Sequence, residues 1–168
     1  MRMLLIINPV SGASSNDKAI LRIHELAVEK GCDFKFIYTT GDNDDEIIQK
    51  ELKDYKPDRV IAGGGDGTVQ LVVRNMMHKR IPLGILPLGS ANGLSTALDM
   101  ARNINDAVEG IFDYTQTRPL DVLKINDKHL CIHLSDIGIN ATIVKNYEEG
   151  NNRGMIGYAK HLVPAIKE

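Results

Sequence analysis

Two cysteines are all that the 168 residues contain, Cys32 and Cys131, far apart and without the spacing of a metal site. A disulfide framework and a zinc module are therefore excluded, and two reduced, largely buried thiols are expected. A charge excess is missing as well: 20 basic against 22 acidic residues leave a net charge of −2, which gives no reason to expect a nucleic-acid partner. Nor is there a long apolar run. The first, residues 3–7, is too short for a signal peptide or a membrane span, so a cytoplasmic protein is expected, with any membrane contact peripheral and at the inner surface. No internal repeat or low-complexity segment interrupts the chain. With 43% apolar residues, it has the material for one globular domain, or one plus part of another, around a real core.

Glycine, by contrast, is concentrated. Residues 61–69 read Ile-Ala-Gly-Gly-Gly-Asp-Gly-Thr-Val, four glycines around one acid, although each fixed glycine costs backbone entropy. Residues 58–62 look like the end of a buried strand and residues 68–77 carry apolar side chains at helical spacing, so the run joins a strand to a helix. Amides at such a helix start point outward and suit phosphate oxygens. Asp66 would be repelled by a bare phosphate. It is better read as holding Mg²⁺ through water or as accepting a proton from an attacking hydroxyl, the plain alternative being a tight turn with Asp66 as a helix cap. No Walker lysine closes the loop, and it lacks the spacing of a Rossmann fingerprint.

Elsewhere strands and helices alternate. Residues 3–7, 34–38, 60–62 and 83–86 read as strands; 17–30, 44–53, 68–77, 94–100 and 104–112 read as helices. Alternation of this kind predicts an α/β fold with a doubly wound parallel sheet, in which ligands sit beyond the carboxyl ends of the strands. Four polar turns fall there: 8–12, 39–41, 63–67 and 87–93. From residue 118 the pattern changes to two strands, 120–125 and 129–134, joined at Asn126-Asp127 as in an antiparallel hairpin. The domains expected are therefore 1–117, the α/β unit, and 118–168, the incomplete beginning of a β-rich unit whose open edge offers a second copy a place to pair. Residues 150–154 read as a polar connection, and a helix through Tyr158, Leu162 and Val163 meets Pro164. Asn8-Pro9 also suits a strand-ending turn, Thr40 a helix-leading turn, and Ser90 a helix cap. His129 and His133 read as packing or surface residues of the hairpin rather than metal ligands. Lys18, Arg22, Lys79 and Arg80 read as solvated, with Lys18 near enough to the first turn to reach a phosphate.

Three blocks, Asn8-Pro9-Val10-Ser11-Gly12, Gly63 to Val69, and Leu86-Pro87-Leu88-Gly89-Ser90-Ala91-Asn92-Gly93, stand in an order and at a spacing that resemble the catalytic domain of the diacylglycerol kinase and sphingosine kinase superfamily, particularly its small bacterial lipid kinases. The Gly-Gly-Asp-Gly core alone also occurs in NAD kinases and phosphofructokinases, so the flanking blocks discriminate. A weaker echo continues in residues 137–141 and 157–158. The resemblance implies transfer of the ATP γ-phosphoryl group to a lipid hydroxyl such as that of diacylglycerol, with the lipid acceptor met at a membrane surface. It implies a nucleotide-binding domain and a larger β-rich domain with the reaction between them, this chain being the front half. By motif, Asn8, Ser11 and Gly12 would line the phosphates and Thr40 would lie near the nucleotide. Gly64, Gly65 and Gly67, with Thr68 following, would allow close backbone approach, and Gly89, Ser90 and Asn92 would complete the far side. Asp66 would serve in Mg²⁺ or hydroxyl chemistry. Three departures each remove negative charge: Gln70-Leu71 replaces an Asn-Glu pair, Gly93 an Asp, and Asn140 an Asp near the lipid head group. They keep two other functions open, a kinase of a soluble acceptor such as NAD and a non-catalytic nucleotide-binding module.

Overall fold

Residues 3–7 have no exposed surface, because the strand they form, β1 (Arg2–Ile7), lies inside a sheet covered on both faces. The computed structural model describes residues 1–11, 16–101, 103–113 and 116–134. β1 pairs in parallel with β2 (Asp33–Tyr38) on one side and β3 (Arg59–Gly64) on the other, and β3 with β4 (Leu83–Pro87), giving the order β2-β1-β3-β4. Met3, Leu5 and Ile7 face one core with α1 (Asn16–Glu29) and α5 (Ile104–Asp113); Leu4 and Ile6 face the other with α2 (Asp44–Asp54) and α3 (Asp66–Met76). This is the expected doubly wound parallel sheet. Each large side chain so buried contributes about 2 kcal/mol of transfer free energy.

The glycine run is partitioned differently from its sequence reading. Gly63 and Gly64 are strand residues, opposite Leu86 and Pro87, and the helix begins at Asp66, so the turn between β3 and α3 is Gly65 alone. Packing gives the reason: a Cβ on Gly63 would lie 3.2 Å from Ile7 Cγ1, and one on Gly64 only 2.2 Å from Thr68 Oγ1. The helix after β4 is also shorter than its apolar pattern, α4 (Gly93–Ala97). Asp99, at φ 53°, turns the backbone left-handed, and the Met100 N–H reaches back to the Ser95 carbonyl at 2.9 Å.

The hairpin is present, trimmed to β5 (Leu123–Ile125) and β6 (His129–Cys131). Asn126 and Asp127, both at positive φ, make its turn, closed by the Lys128 N–H on the Ile125 carbonyl at 3.1 Å. Val122 and Ile132 pack into the α2/α3 core, and Gln70 Nε2 of α3 donates to the Leu130 carbonyl. The hairpin therefore belongs to the compact unit Met1–His133; Leu134–Glu168 form a second unit. The connection at 150–154, the helix through Tyr158 and the echo at 137–141 with Asn140 lie outside the described residues. Cys32 and Cys131 are free and half-buried. Among the described residues no helix is long and apolar enough to cross a membrane.

Candidate active site

In the order β2-β1-β3-β4 the chain winds outward from β1 to β2 and then returns to β3, so the strand order reverses between β1 and β3. A crevice opens at such a switch point, beyond the carboxyl ends. Asn8 and Gly65 emerge there side by side. The Asn8 N–H donates to the Gly63 carbonyl at 2.9 Å, and Asn8 Oδ1 accepts the Val10 N–H at 3.1 Å, which curls the first turn. Ser11 closes it, its N–H 3.2 Å from the Asn8 carbonyl. Gly12 lies outside the described residues.

The turns after β3 and β4 touch backbone to backbone. A Cβ on Gly89 would stand 2.5 Å from the Gly65 Cα, so only glycine lets the two segments meet. Asn92, at φ 50°, folds the second turn on itself: its Oδ1 accepts the Gly89 N–H at 2.9 Å and its Nδ2 donates to the Gly89 carbonyl at 2.7 Å. An asparagine tolerates this left-handed backbone better than most residues. Ser90 is exposed at the tip.

Asp66 bridges the pair. Its Oδ2 accepts the Gly93 N–H at 2.8 Å and its Oδ1 the Leu94 N–H at 2.9 Å. The acid is thus a cap, as the plain alternative held, but of α4 rather than of its own helix, and it ties the third-strand turn to the fourth. It remains half-buried rather than enclosed. A carboxylate has about four lone-pair sites, and two amides leave the others available to a metal-bound water or a hydroxyl proton. One carboxylate is enough for Mg²⁺, because substrate phosphates and water complete its shell.

Gly67 is exposed in the first turn of α3, and a Cβ there would meet nothing within 4 Å. The N–H groups of Asp66 and Gly67 have no intrahelical acceptor in that turn. Thr68 is turned the other way, 7% exposed, with its hydroxyl against Gly64. Thr40 sits apart, at the edge strand. Asp44 accepts the N–H groups of Thr40 and Gly41, both at 2.9 Å, and Thr40 Oγ1 donates to the Asp42 carbonyl at 3.0 Å, the bonding of a turn that leads into α2. Beside α4 lies a cavity of about 350 Å³ whose walls include Pro87, Asn92, Ser95, Thr96 and Met100. Arg22 is engaged by Glu25 and Glu109, whereas Lys18 is exposed on α1.

One neighbour of Asp66 is a residue that the sequence reads only as a packing or surface residue of the hairpin. His133, just past β6, places Nε2 and Cδ2 each 3.0 Å from where a Cβ on Gly93 would be, with Asp66 Oδ2 3.4 Å from the same point. No local pattern announces a contact between residues so distant in the chain. The departure at 71 also finds a structural place, since Leu71 packs against the α2/α3 core.

A family model, the diacylglycerol kinase catalytic domain, matches residues 2–125. The chain belongs to this family. This diacylglycerol kinase domain is 28% identical, over 97% of its length, to a probable YegS-like lipid kinase of Klebsiella pneumoniae, of which it covers 54%. It is 29% identical to a diacylglycerol kinase of Bacillus subtilis, with 76% of this chain and 43% of that protein aligned. A crystal structure of a diacylglycerol kinase from Bacillus anthracis shares its fold at a TM-score of 0.60 and 27% identity, over 72% of this chain and 42% of that one. The chain spans about half the length of the curated relatives it matches, or less.

Proposed function

We propose that the chain is the nucleotide-binding half of an ATP-dependent lipid kinase, which transfers a phosphoryl group to the hydroxyl of diacylglycerol or a related lipid. The observation that carries this reading is the Asp66 bridge: one carboxylate, at the switch point, held by the Gly93 and Leu94 amides between two glycine turns in contact. Phosphoryl transfer asks a protein mainly for positioning and for neutralisation of charge, and a rigid carboxylate beside outward-facing amides provides both. Asp66 would hold Mg²⁺, which when bound would supply charge that compensates the nucleotide's phosphates. The Asn8 and Ser11 turn bounds one side of the phosphate tail and the Gly89, Ser90 and Asn92 turn the other. Gly67, open on its Cβ side, lets the tail approach the first turn of α3. Thr68 and Gly64 act one step back, setting the angle at which α3 leaves the sheet. The domain that opens at about residue 118 carries the lipid-facing part beyond the hairpin, which itself packs on the sheet unit, and the enzyme meets its acceptor as a peripheral protein at the membrane surface.

Replacing Asp66 by Asn in the full protein, assayed with ATP, Mg²⁺ and diacylglycerol in mixed micelles, is expected to lower turnover at least about 100-fold while the circular dichroism spectrum is kept. Near-normal phosphatidate formation by that variant refutes the role. Since Asn offers only one acceptor oxygen, one amide at the start of α4 also loses its partner, and the melting temperature is expected to fall by a few degrees.

A second reading, a non-catalytic nucleotide-binding module, is favoured by Leu71, an apolar, partly buried side chain packed against the α2/α3 core where the resemblance leads one to expect an acid. Binding of ATP without any phosphorylated lipid or soluble product would establish it.

A further inference from the structure

Residue 93 is a glycine closely overlaid by side chains from two other elements. It starts α4 without a left-handed φ, and a Cβ there would lie 3.0 Å from the exposed His133 imidazole, which would have to give by a few tenths of an ångström, and 3.4 Å from the Asp66 carboxylate. The imidazole therefore occupies the room that a side chain at 93 would take. The ring, just past β6, stands beside the Asp66 carboxylate and has an N–H to offer.

The ring is held there from behind. Ile132, the residue before it, is 9% exposed and packed in the α2/α3 core, and the Gln70 contact to Leu130 anchors β6 on α3, the helix that Asp66 begins. His133 itself is exposed, so one edge of the ring rests on Gly93 and the rest stays open to a ligand.

The geometry points to His133 as a phosphate-contacting residue, its imidazole nitrogen donating a hydrogen bond to the terminal phosphoryl group of the nucleotide handled at Asp66. This rests on the kinase reading above and adds to it a residue from beyond the sheet. A donor on that side complements the α3 amides, so the terminal group is held between the two elements. ATP has this group and ADP does not. The contribution of His133 must therefore appear as a preference for the triphosphate, with or without a lipid acceptor.

Calorimetric titration of the full protein with ATP and with ADP, in Mg²⁺ and without lipid, tests this on His133→Phe and His133→Gln. Phe preserves the ring and its packing but has no nitrogen; Gln preserves an N–H donor at similar reach. The Phe variant is expected to bind ATP about tenfold more weakly and ADP within about twofold of the unmodified protein, while Gln keeps most of the ATP affinity. Undiminished ATP affinity in the Phe variant overturns the proposal, as does an equal loss in both variants or a loss shared by ADP. A variant with a lowered melting temperature is replaced by Gly93→Ala, which displaces the ring without removing it and is expected to show the same selective weakening toward ATP. If the unmodified protein binds neither nucleotide, the kinase reading falls together with this inference; if it binds ATP and only the Phe result fails, this inference falls alone.

Discussion

Glycine has different causes along the site, and the differences can be measured residue by residue. At Gly64 and Gly89 the neighbours forbid a Cβ: Thr68 Oγ1 in one case and the Gly65 backbone in the other. Since backbone cannot rotate out of the way, Gly89→Ala must push the two turns apart. It is expected to destabilise by about 1–3 kcal/mol, read as a lower urea midpoint with an unchanged m-value. At Gly67 nothing in the protein objects, and the residue is helical. Alanine there should favour folding by about 0.5–1 kcal/mol and raise the melting temperature by about 2 °C. If a phosphate tail approaches this spot, the same variant should also bind ATP at least about tenfold more weakly. A Gly67→Ala protein that is more stable and binds ATP as before would show that the open side of Gly67 is not used.

Between elements, one polar contact that fixes a helix on its neighbour is the cluster on Asp45. Arg74 Nε of α3 donates to Asp45 Oδ1 at 2.7 Å and its Nη2 donates to Oδ2, while the buried Asn75 Nδ2 donates to Oδ1 at 2.7 Å. The bonds from Arg74 and then Asn75, against some desolvation, hold the Asp45 carboxyl below its ordinary value of 3.8. Because the folded protein binds that proton less tightly than the unfolded chain, the stabilisation is complete above the unfolded value. It is lost as pH falls through the lower, folded value. Asp45→Ala is expected to cost about 1 kcal/mol at pH 7, a modest figure because both partners are solvent-accessible. The gap between variant and unmodified protein should close as thermal melts are repeated at acid pH below 3.8. A gap that stays constant down to that range would show that lost packing, not charge, is responsible.

At the scale of the whole molecule, both cores depend on β1. Its odd residues serve one face and its even residues the other, so a cavity in the strand is felt by the entire sheet. Leu5→Ala is expected to destabilise by about 2–5 kcal/mol in denaturant titrations, without altering which turns meet at the switch point. The compact unit ends at His133, and the hairpin that carries His133 is anchored through Ile132 and Gln70. The site is therefore assembled by the sheet unit as a whole. Asp66 comes from the third crossover, its amide partners follow the fourth strand, and the imidazole comes from the hairpin.

Sequence by itself determined the parallel sheet, because an unbroken apolar run such as residues 3–7 is stable only when both faces are covered, and the alternating helical segments supply the cover. It also marked the turns at Asn8, Gly65 and Gly89, since local chemistry, proline after asparagine and glycine at strand ends, already specifies a break there. Tertiary structure alone decided what those turns do to one another. That Gly89 lies against Gly65, that Asp66 caps a helix far along the chain and that His133 stands over Gly93 are all contacts between residues separated by a crossover or more. Periodicity reports on neighbours three or four positions away, whereas these distances are set by how the strands order themselves in the sheet.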